Sequence, residues 1–152
     1  MGAVTYPNAE VKEYIERFFI PVQYNVVEDP GAMDRFNSSW TPTLIVQDAD
    51  GREHRRAQGY LDPKRFLGEM SLARLKEAID RQNYNEAQAR LDDAKSHTKG
   101  DPAREPEVEY WAAVVAYKTS HDGNGLLAGW NSLIDRFPES EWARRAEFIR
   151  QK

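Results

Sequence analysis

The sequence predicts an α/β first half and an all-helical second half, with the change of character near Met70. Three observations carry this expectation. Before Met70, segments with a helical apolar period take turns with segments in which apolar and polar residues alternate. The run Thr43-Leu44-Ile45-Val46 is short and continuously apolar, and it lies between Pro42 and Asp48-Ala49-Asp50-Gly51, as a covered strand running into a turn would. After Met70, every long segment spaces its apolar residues by three and four.

The first helix is expected after Tyr6-Pro7-Asn8. Asn8 is a capping residue and Glu10 suits the positive end of the helix dipole. Val11, Tyr14, Ile15, Phe18 and Phe19 then share one helical face, and Pro21 closes the segment. Val22, Tyr24 and Val26 alternate with Gln23 and Asn25, which predicts a half-buried strand over 22–26. Asp29-Pro30-Gly31 reads as a turn, and Ala32 to Asn37 as a short helix with Met33 and Phe36 on one side. The strand at Thr43 follows, then the Asp48–Gly51 turn with Gly51 supplying a positive φ, then a polar strand from Arg52 to Gln58. Gly59-Tyr60-Leu61 closes the strand. Asp62 caps a further helix with Pro63 at its first position, and Phe66, Leu67 and Met70 face inward.

In the second half, Leu72, Leu75, Ala78 and Ile79 form one stripe and Ala87, Leu91 and Ala94 the next, with Asn83-Tyr84-Asn85 as the break between them. A loop is expected from Ser96 to Pro106. Val108, Trp111, Ala112, Val115 and Ala116 make a strongly apolar helix. Asp122-Gly123-Asn124-Gly125 reads as a turn before the helix of Leu126, Leu127, Trp130, Leu133, Ile134 and Phe137. Ser140 caps the last helix, which carries Trp142, Ala143, Ala146 and Ile149. Tyr84, Ala87 and Leu91 match Leu126, Gly129 and Leu133 at an offset of 42 (84 to 126). The small residues Ala87 and Gly129 fit the tight crossing of a helical hairpin.

Composition narrows the partners. A chain of 152 residues suffices for one ordinary domain or two small ones. Hydrophobic residues at 40% and aromatics at 11% support a packed core rather than disorder. The net charge is −4 with both signs interspersed, so no clustered basic surface points to nucleic acid. The densest basic run, Arg52 to Arg56, is broken by Glu53 and reads as charge guarding a solvated strand edge. No apolar run reaches the roughly 18 residues that span a bilayer. Met1-Gly2-Ala3-Val4 has no basic or long apolar leader, and Tyr6 stands where a myristoylation motif wants Ser or Thr. Zero cysteine removes thiolate nucleophiles and cysteine-based zinc sites, and leaves cytoplasmic and periplasmic locations both open.

Three stretches carry a family resemblance. V-T-Y-P-N-A-E-V-K-E-Y-I-E-R-F-F-I-P-V-Q-Y-N-V looks like the first helix of thioredoxin-like proteins running into their second strand. W-T-P-T-L-I-V looks like their cis-proline before a strand. D-A-D-G-R-E followed by G-Y-L-D-P-K-R-F looks like their hairpin and last helix. Residues 1–70 thus resemble a thioredoxin-like domain, nearly half the chain. The resemblance implies a cis Thr41–Pro42 bond and a groove in which the Thr41 backbone pairs with an extended peptide. Thr41 and Pro42 map onto that groove, and Trp40 and Tyr60 stand beside it, where groove lining and core packing are both open for their rings. The family's Cys-x-x-Cys would stand at and before Met1 to Val4, and its preceding central strand is missing too. Two readings stay open: a cysteine-free relative that binds proteins or peptides, or a fragment of a thiol-disulfide oxidoreductase whose Cys-x-x-Cys lies upstream. Strands 22–26 and 43–47 are expected to flank a gap, to pair directly as a rearranged antiparallel sheet, or to recruit a strand from a second molecule, with association through this region giving a homo-oligomer.

Residues 71–152 resemble tetratricopeptide-type helical repeats. N-Y-N-E-A-Q-A-R-L and R-F-P-E-S-E-W-A-R-R-A carry the likeness, although the offset of 42 exceeds the usual repeat of about 34. No catalytic set, metal site or cofactor is expected. His54, His97 and His121 are scattered, Asp48, Asp50 and Glu53 lack calcium-loop spacing, and no G-x-S-x-G motif occurs. The carboxylates of Asp92-Asp93, Glu139 and Glu141 read as solvated helix faces. Trp111 and Trp130 read as core.

Overall fold

A computed structural model of the chain describes residues 1–150. It is mostly helical with one two-stranded antiparallel sheet, an α+β architecture. The order is α1 (Ala9–Phe18), α2 (Gly31–Arg35), β1 (Thr43–Gln47), β2 (Glu53–Gln58), α3 (Pro63–Asp80), α4 (Tyr84–Thr98), α5 (Glu105–Ser120), α6 (Gly123–Arg136), α7 (Glu141–Ala146) and a 3₁₀ turn (Glu147–Arg150). The chain forms two compact units. The first is Met1–Leu67 and the second begins at Gly68, so the division falls inside α3.

In the first unit, local chemistry sets the helix starts. Asn8 Oδ1 accepts the Val11 N–H at 3.1 Å, and Asp62 Oδ1 accepts that of Arg65 at 2.9 Å. Each fills a donor that the first helical turn leaves open. α1 stops at Phe18, where Phe19 turns extended and still donates to Ile15 O. Replacing Asn8 with alanine is expected to cost this unit about 1 kcal/mol. Urea unfolding of the variant against the parent chain reads the loss. The core of the unit is small: Val11, Tyr14, Ala32, Leu61, Phe66 and Leu67. Buried Thr5 donates its hydroxyl to Leu61 O at 2.6 Å, which ties the N-terminal turn to the segment before α3.

The strand expected over 22–26 does not form, and Val22 and Tyr24 are exposed. Its alternation is real, but a strand exists only when a neighbour accepts its hydrogen bonds, and among the described residues β1 and β2 pair only with each other. The Tyr24 ring instead packs on Phe36 at 5.0 Å, with the Arg35 guanidinium over it.

The second unit corrects several boundaries. α3 runs unbroken through Met70: Pro63 stands at its first position, and the single interior glycine, Gly68, costs only about 1 kcal/mol against a run of good helix formers. The expected loop over 96–106 shrinks to six residues, Lys99 to Arg104, since α4 extends to Thr98 and Pro106 sits in the first turn of α5. The expected turn at 122–125 is instead the cap and first three residues of α6. Asp122 Oδ1 accepts the Asn124 N–H at 3.0 Å, and this cap starts α6 despite two glycines.

Two apolar clusters fill this unit. One joins Leu72, Leu75, Ala78 and Ile79 of α3 with Ala87, Leu91 and Ala94 of α4 and Val108 and Val115 of α5. The other joins Ala113 of α5 with Trp130, Leu133 and Ile134 of α6 and Ala143 and Ala146 of α7. α5 lies in both, so it is apolar on two faces rather than along one stripe. Ala116, expected in that stripe, is exposed, and Ala113 is buried in its place.

Charges also hold the helices. Arg90 of α4 donates to the Glu77 carboxylate of α3 at 2.7 Å and to the Arg74 carbonyl. Asp93, expected to be solvated, is half-buried and pairs with Arg74 at 2.9 Å. Glu107 is buried as well.

Candidate functional site

The hairpin of β1 and β2 gathers the groove residues expected from the sequence. The strands pair Thr43 with Gln58, Leu44 with Ala57, Ile45 with Arg56 and Val46 with Arg55, and an irregularity follows before Gln47 meets Glu53. One further bond, Gly59 N–H to Pro42 O at 2.8 Å, extends the ladder past the strand ends. One step beyond it stand Thr41 and Tyr60. Trp40, Thr41, Pro42 and Tyr60 therefore sit at one end of the hairpin, all four exposed, with Trp40 at 66% and Tyr60 at 55% exposure. The Thr41–Pro42 bond is cis.

Hydrogen bonds fix the approach to this end. The Thr43 hydroxyl donates to Trp40 O at 2.6 Å, and the Ser38 hydroxyl donates to Thr43 Oγ1 at 2.9 Å. The Trp40 carbonyl is thus tied back into the turn while its ring stays in solvent.

The other end is closed by Asp48. Its Oδ1 accepts the N–H groups of Asp50 at 3.0 Å and Arg52 at 2.9 Å, and its Oδ2 lies 3.0 Å from Nε2 of the buried His54. These contacts, led by the one to His54, hold the Asp48 carboxyl below its usual range. Gly51, with φ of 80°, donates to Asp48 O and completes the turn. Asp48 is therefore a hairpin staple, and both its oxygens and those of Glu53, which pairs with Arg56, are taken by the protein's own groups.

The ladder also decides which way β1 faces. In an antiparallel pair, alternate residues turn their backbone groups toward the partner. Pro42 O faces β2, so Leu44 and Val46 do as well. The N–H and C=O groups of Thr43, Ile45 and Gln47 then point to the opposite edge of β1, where no strand lies among the described residues.

The two edges of the sheet differ in character. β2 carries Glu53, His54, Arg55 and Arg56, whereas β1 is Thr-Leu-Ile-Val-Gln with no charge. Arg56 is also committed locally: it pairs with Glu53 at 2.6 Å and donates to Phe36 O at 2.8 Å. This asymmetry was readable in the sequence. What the sequence did not show is which backbone groups are left outward.

Elsewhere, the helical unit has a cavity of about 200 Å³ lined by Lys95, Thr98, Lys99, Glu105, Val108 and Glu109. Its one fully buried hydroxyl, that of Thr98, donates to Ala94 O at 2.7 Å, and Glu105 accepts the Gly100 N–H at 2.7 Å. Its aromatic cluster is packing: Tyr110 stacks on Trp130 at 5.1 Å, and Trp142 lies 5.2 Å from Tyr110. Among the described residues, no three His, Cys, Asp or Glu side chains converge as a metal site would need, and no helix is long and apolar enough to cross a membrane. Compared with protein-family models, curated proteins and solved structures, the chain matches none.

Proposed function

We propose that this chain is a binding module that takes an extended peptide along the outer edge of β1, beginning beside Pro42. The observation that carries the reading is the row of outward backbone groups at Thr43, Ile45 and Gln47, with two exposed aromatic rings, Trp40 and Tyr60, at its start. A peptide added as a strand gains main-chain hydrogen bonds from the edge and apolar contact from the rings. Trp and Tyr lose little rotamer freedom on binding and offer large contact area.

The resemblance of residues 1–70 to thioredoxin-like domains supports the same groove, since that likeness implies peptide pairing at Thr41. The likeness of residues 71–152 to tetratricopeptide-type repeats supports a second protein-facing surface on the helical unit. With no cysteine in the sequence, these residues carry no thiol–disulfide step of their own.

The test is a selection of short extended peptides on the full chain, followed by amide hydrogen exchange with a selected peptide bound. Protection is expected at Thr43, Ile45 and Gln47 and not at Leu44 or Val46 beyond their existing level. Trp40→Ala is expected to weaken binding about tenfold, the loss of one aromatic anchor. Selected peptides that leave those three amides unprotected would sink the reading.

A further inference from the structure

The outer edge of β1 is complementary to itself. Its outward groups belong to Thr43, Ile45 and Gln47, which are evenly spaced about Ile45. An antiparallel copy related by a two-fold axis at Ile45 sets Ile45 opposite Ile45, and Thr43 opposite Gln47 on either side. Each of these is then a hydrogen-bonded pair that exchanges both N–H···O bonds, so every outward group of the strand is satisfied. The same register places Leu44 opposite Val46 on one face, so apolar side chains meet apolar side chains across the new seam. The Thr–Gln pairs at the ends are neutral and polar. No like charges face each other anywhere along the seam.

The competing edge does not have this property. β2 carries Glu53, Arg55 and Arg56, and charge on an edge strand opposes pairing. Arg56 is further held by Glu53 and by the Phe36 carbonyl. Of the two edges of this sheet, one is guarded and the other is open, neutral and symmetric.

We infer that a second copy of this chain occupies the outer edge of β1, joining two hairpins into a four-stranded antiparallel sheet about a two-fold axis at Ile45. The interface is isologous, so it closes on itself at the dimer rather than growing into a fibre. The inference uses the same edge as the peptide reading but does not depend on it. If both hold, peptide and second copy exclude each other, and peptide binding splits the dimer.

The chain's lack of cysteine makes the register directly testable. A single Ile45→Cys substitution places two thiols across the axis on a hydrogen-bonded pair, whose Cα atoms lie about 5.5 Å apart, within the span of a disulfide. Sedimentation velocity of the unaltered chain, from low to high micromolar, is expected to show a monomer–dimer equilibrium. With oxidised glutathione, the Ile45→Cys variant is expected to form an interchain disulfide much faster than Val4→Cys, which is exposed but off the edge. Ile45→Lys and Ile45→Glu are each expected to sediment as monomers, and their mixture as a heterodimer; recovery on mixing shows that both variants are folded. A monomer at every concentration overturns the inference, and so does a dimer in which Val4→Cys cross-links as fast as Ile45→Cys. Sedimentation reads the dimer alone and exchange protection by added peptide reads the peptide site alone, so either can fail without the other.

Discussion

Arg104→Met is expected to destabilise the helical unit by about 3 kcal/mol, the lower end of what removing one partner of a buried ion pair costs. Arg104 lies in the short connection before α5, with its side chain 14% exposed. It donates to Glu69 Oε1 at 2.6 Å and to Asp101 Oδ2 at 2.8 Å, and these carboxylates are 9% and 11% exposed. One guanidinium therefore serves two acids drawn from positions far apart in the chain. Methionine matches the length of the stem and supplies no charge, which leaves both acids in place with the guanidinium gone. The loss stays at the lower end because Asp101 keeps the backbone N–H of Ala103 at 2.9 Å. Gly68 adds a steric limit: a Cβ there would stand 3.2 Å from Arg104 Cδ, so the arginine stem is tightly seated.

The effect has a pH signature. Burial alone would raise the Asp101 carboxyl, but the Ala103 N–H and the Arg104 guanidinium outweigh it and hold the carboxyl below its usual range. A carboxyl with a depressed folded value stabilises the fold above its unfolded value of about 3.9 and loses that contribution as pH falls through the folded value. Glu77 behaves in the same sense: burial opposes, and Arg81 and Arg90 together prevail. The parent chain is therefore expected to lose stability as pH drops below about 4. The gap between it and Arg104→Met should narrow over the same window. Urea unfolding at neutral pH and again near pH 3 measures both. A gap that stays constant with pH contradicts the assignment.

Gly129→Val is expected to cost about 1–3 kcal/mol, the usual penalty of overpacking. Gly129 lies on α6 where it meets α5, and a Cβ at that position would fall 2.8 Å from Ala113 Cβ. That is inside van der Waals contact, and Ala113 cannot swing away as a long side chain would. The helices must separate or slide, which disturbs the neighbouring packing of Trp130, Leu133 and Ile134. Ala is the informative milder case, because its better helix propensity offsets about 1 kcal/mol of the clash. Ala113→Gly removes the atom that the new Cβ meets. Paired with Gly129→Ala, it should recover stability beyond the sum of the single variants, the signature of two residues in contact. Additive losses in that double-mutant cycle would show that the α5–α6 crossing does not rest on this contact.

Features settled within a few residues were legible in the sequence. Asn8, Asp62 and Ser140 cap helices because each side chain reaches a backbone N–H three residues on, and no distant part of the chain takes part. The Asp48–Gly51 turn is equally local. The apolar stripes of α3 and α4 follow from helical spacing, and the small residue at Gly129 was readable as a close crossing. Asp122 shows the limit of local reasoning even here. Its cap was present in the sequence, but the two glycines after it read more strongly as a turn.

The candidate site was half legible. Its residues, Trp40, Thr41, Pro42 and Tyr60, could be named from a resemblance, and the neutral run after them stood out against the charged strand that follows. The outward row at Thr43, Ile45 and Gln47 could not be seen, because parity along a strand depends on its register with a partner. The strand read at 22–26 failed for the same reason: alternation prepares a strand, and only a neighbouring edge makes one.

What the amino-acid order determined was the inventory: an α+β chain, the caps of α1, α3 and α7, its hairpin turn, its absence of thiols and the apolar stripes of α3 and α4. What was left to tertiary structure was every choice needing two distant segments. Glu69 and Arg104 find each other across 35 positions, α5 buries two faces instead of one, and β1 pairs with β2 while no strand among the described residues takes its other edge. Local signals act over one helical turn. Buried charge, close crossings and strand edges take their energies from what lies across the gap, and the order of residues along the chain does not state what that is.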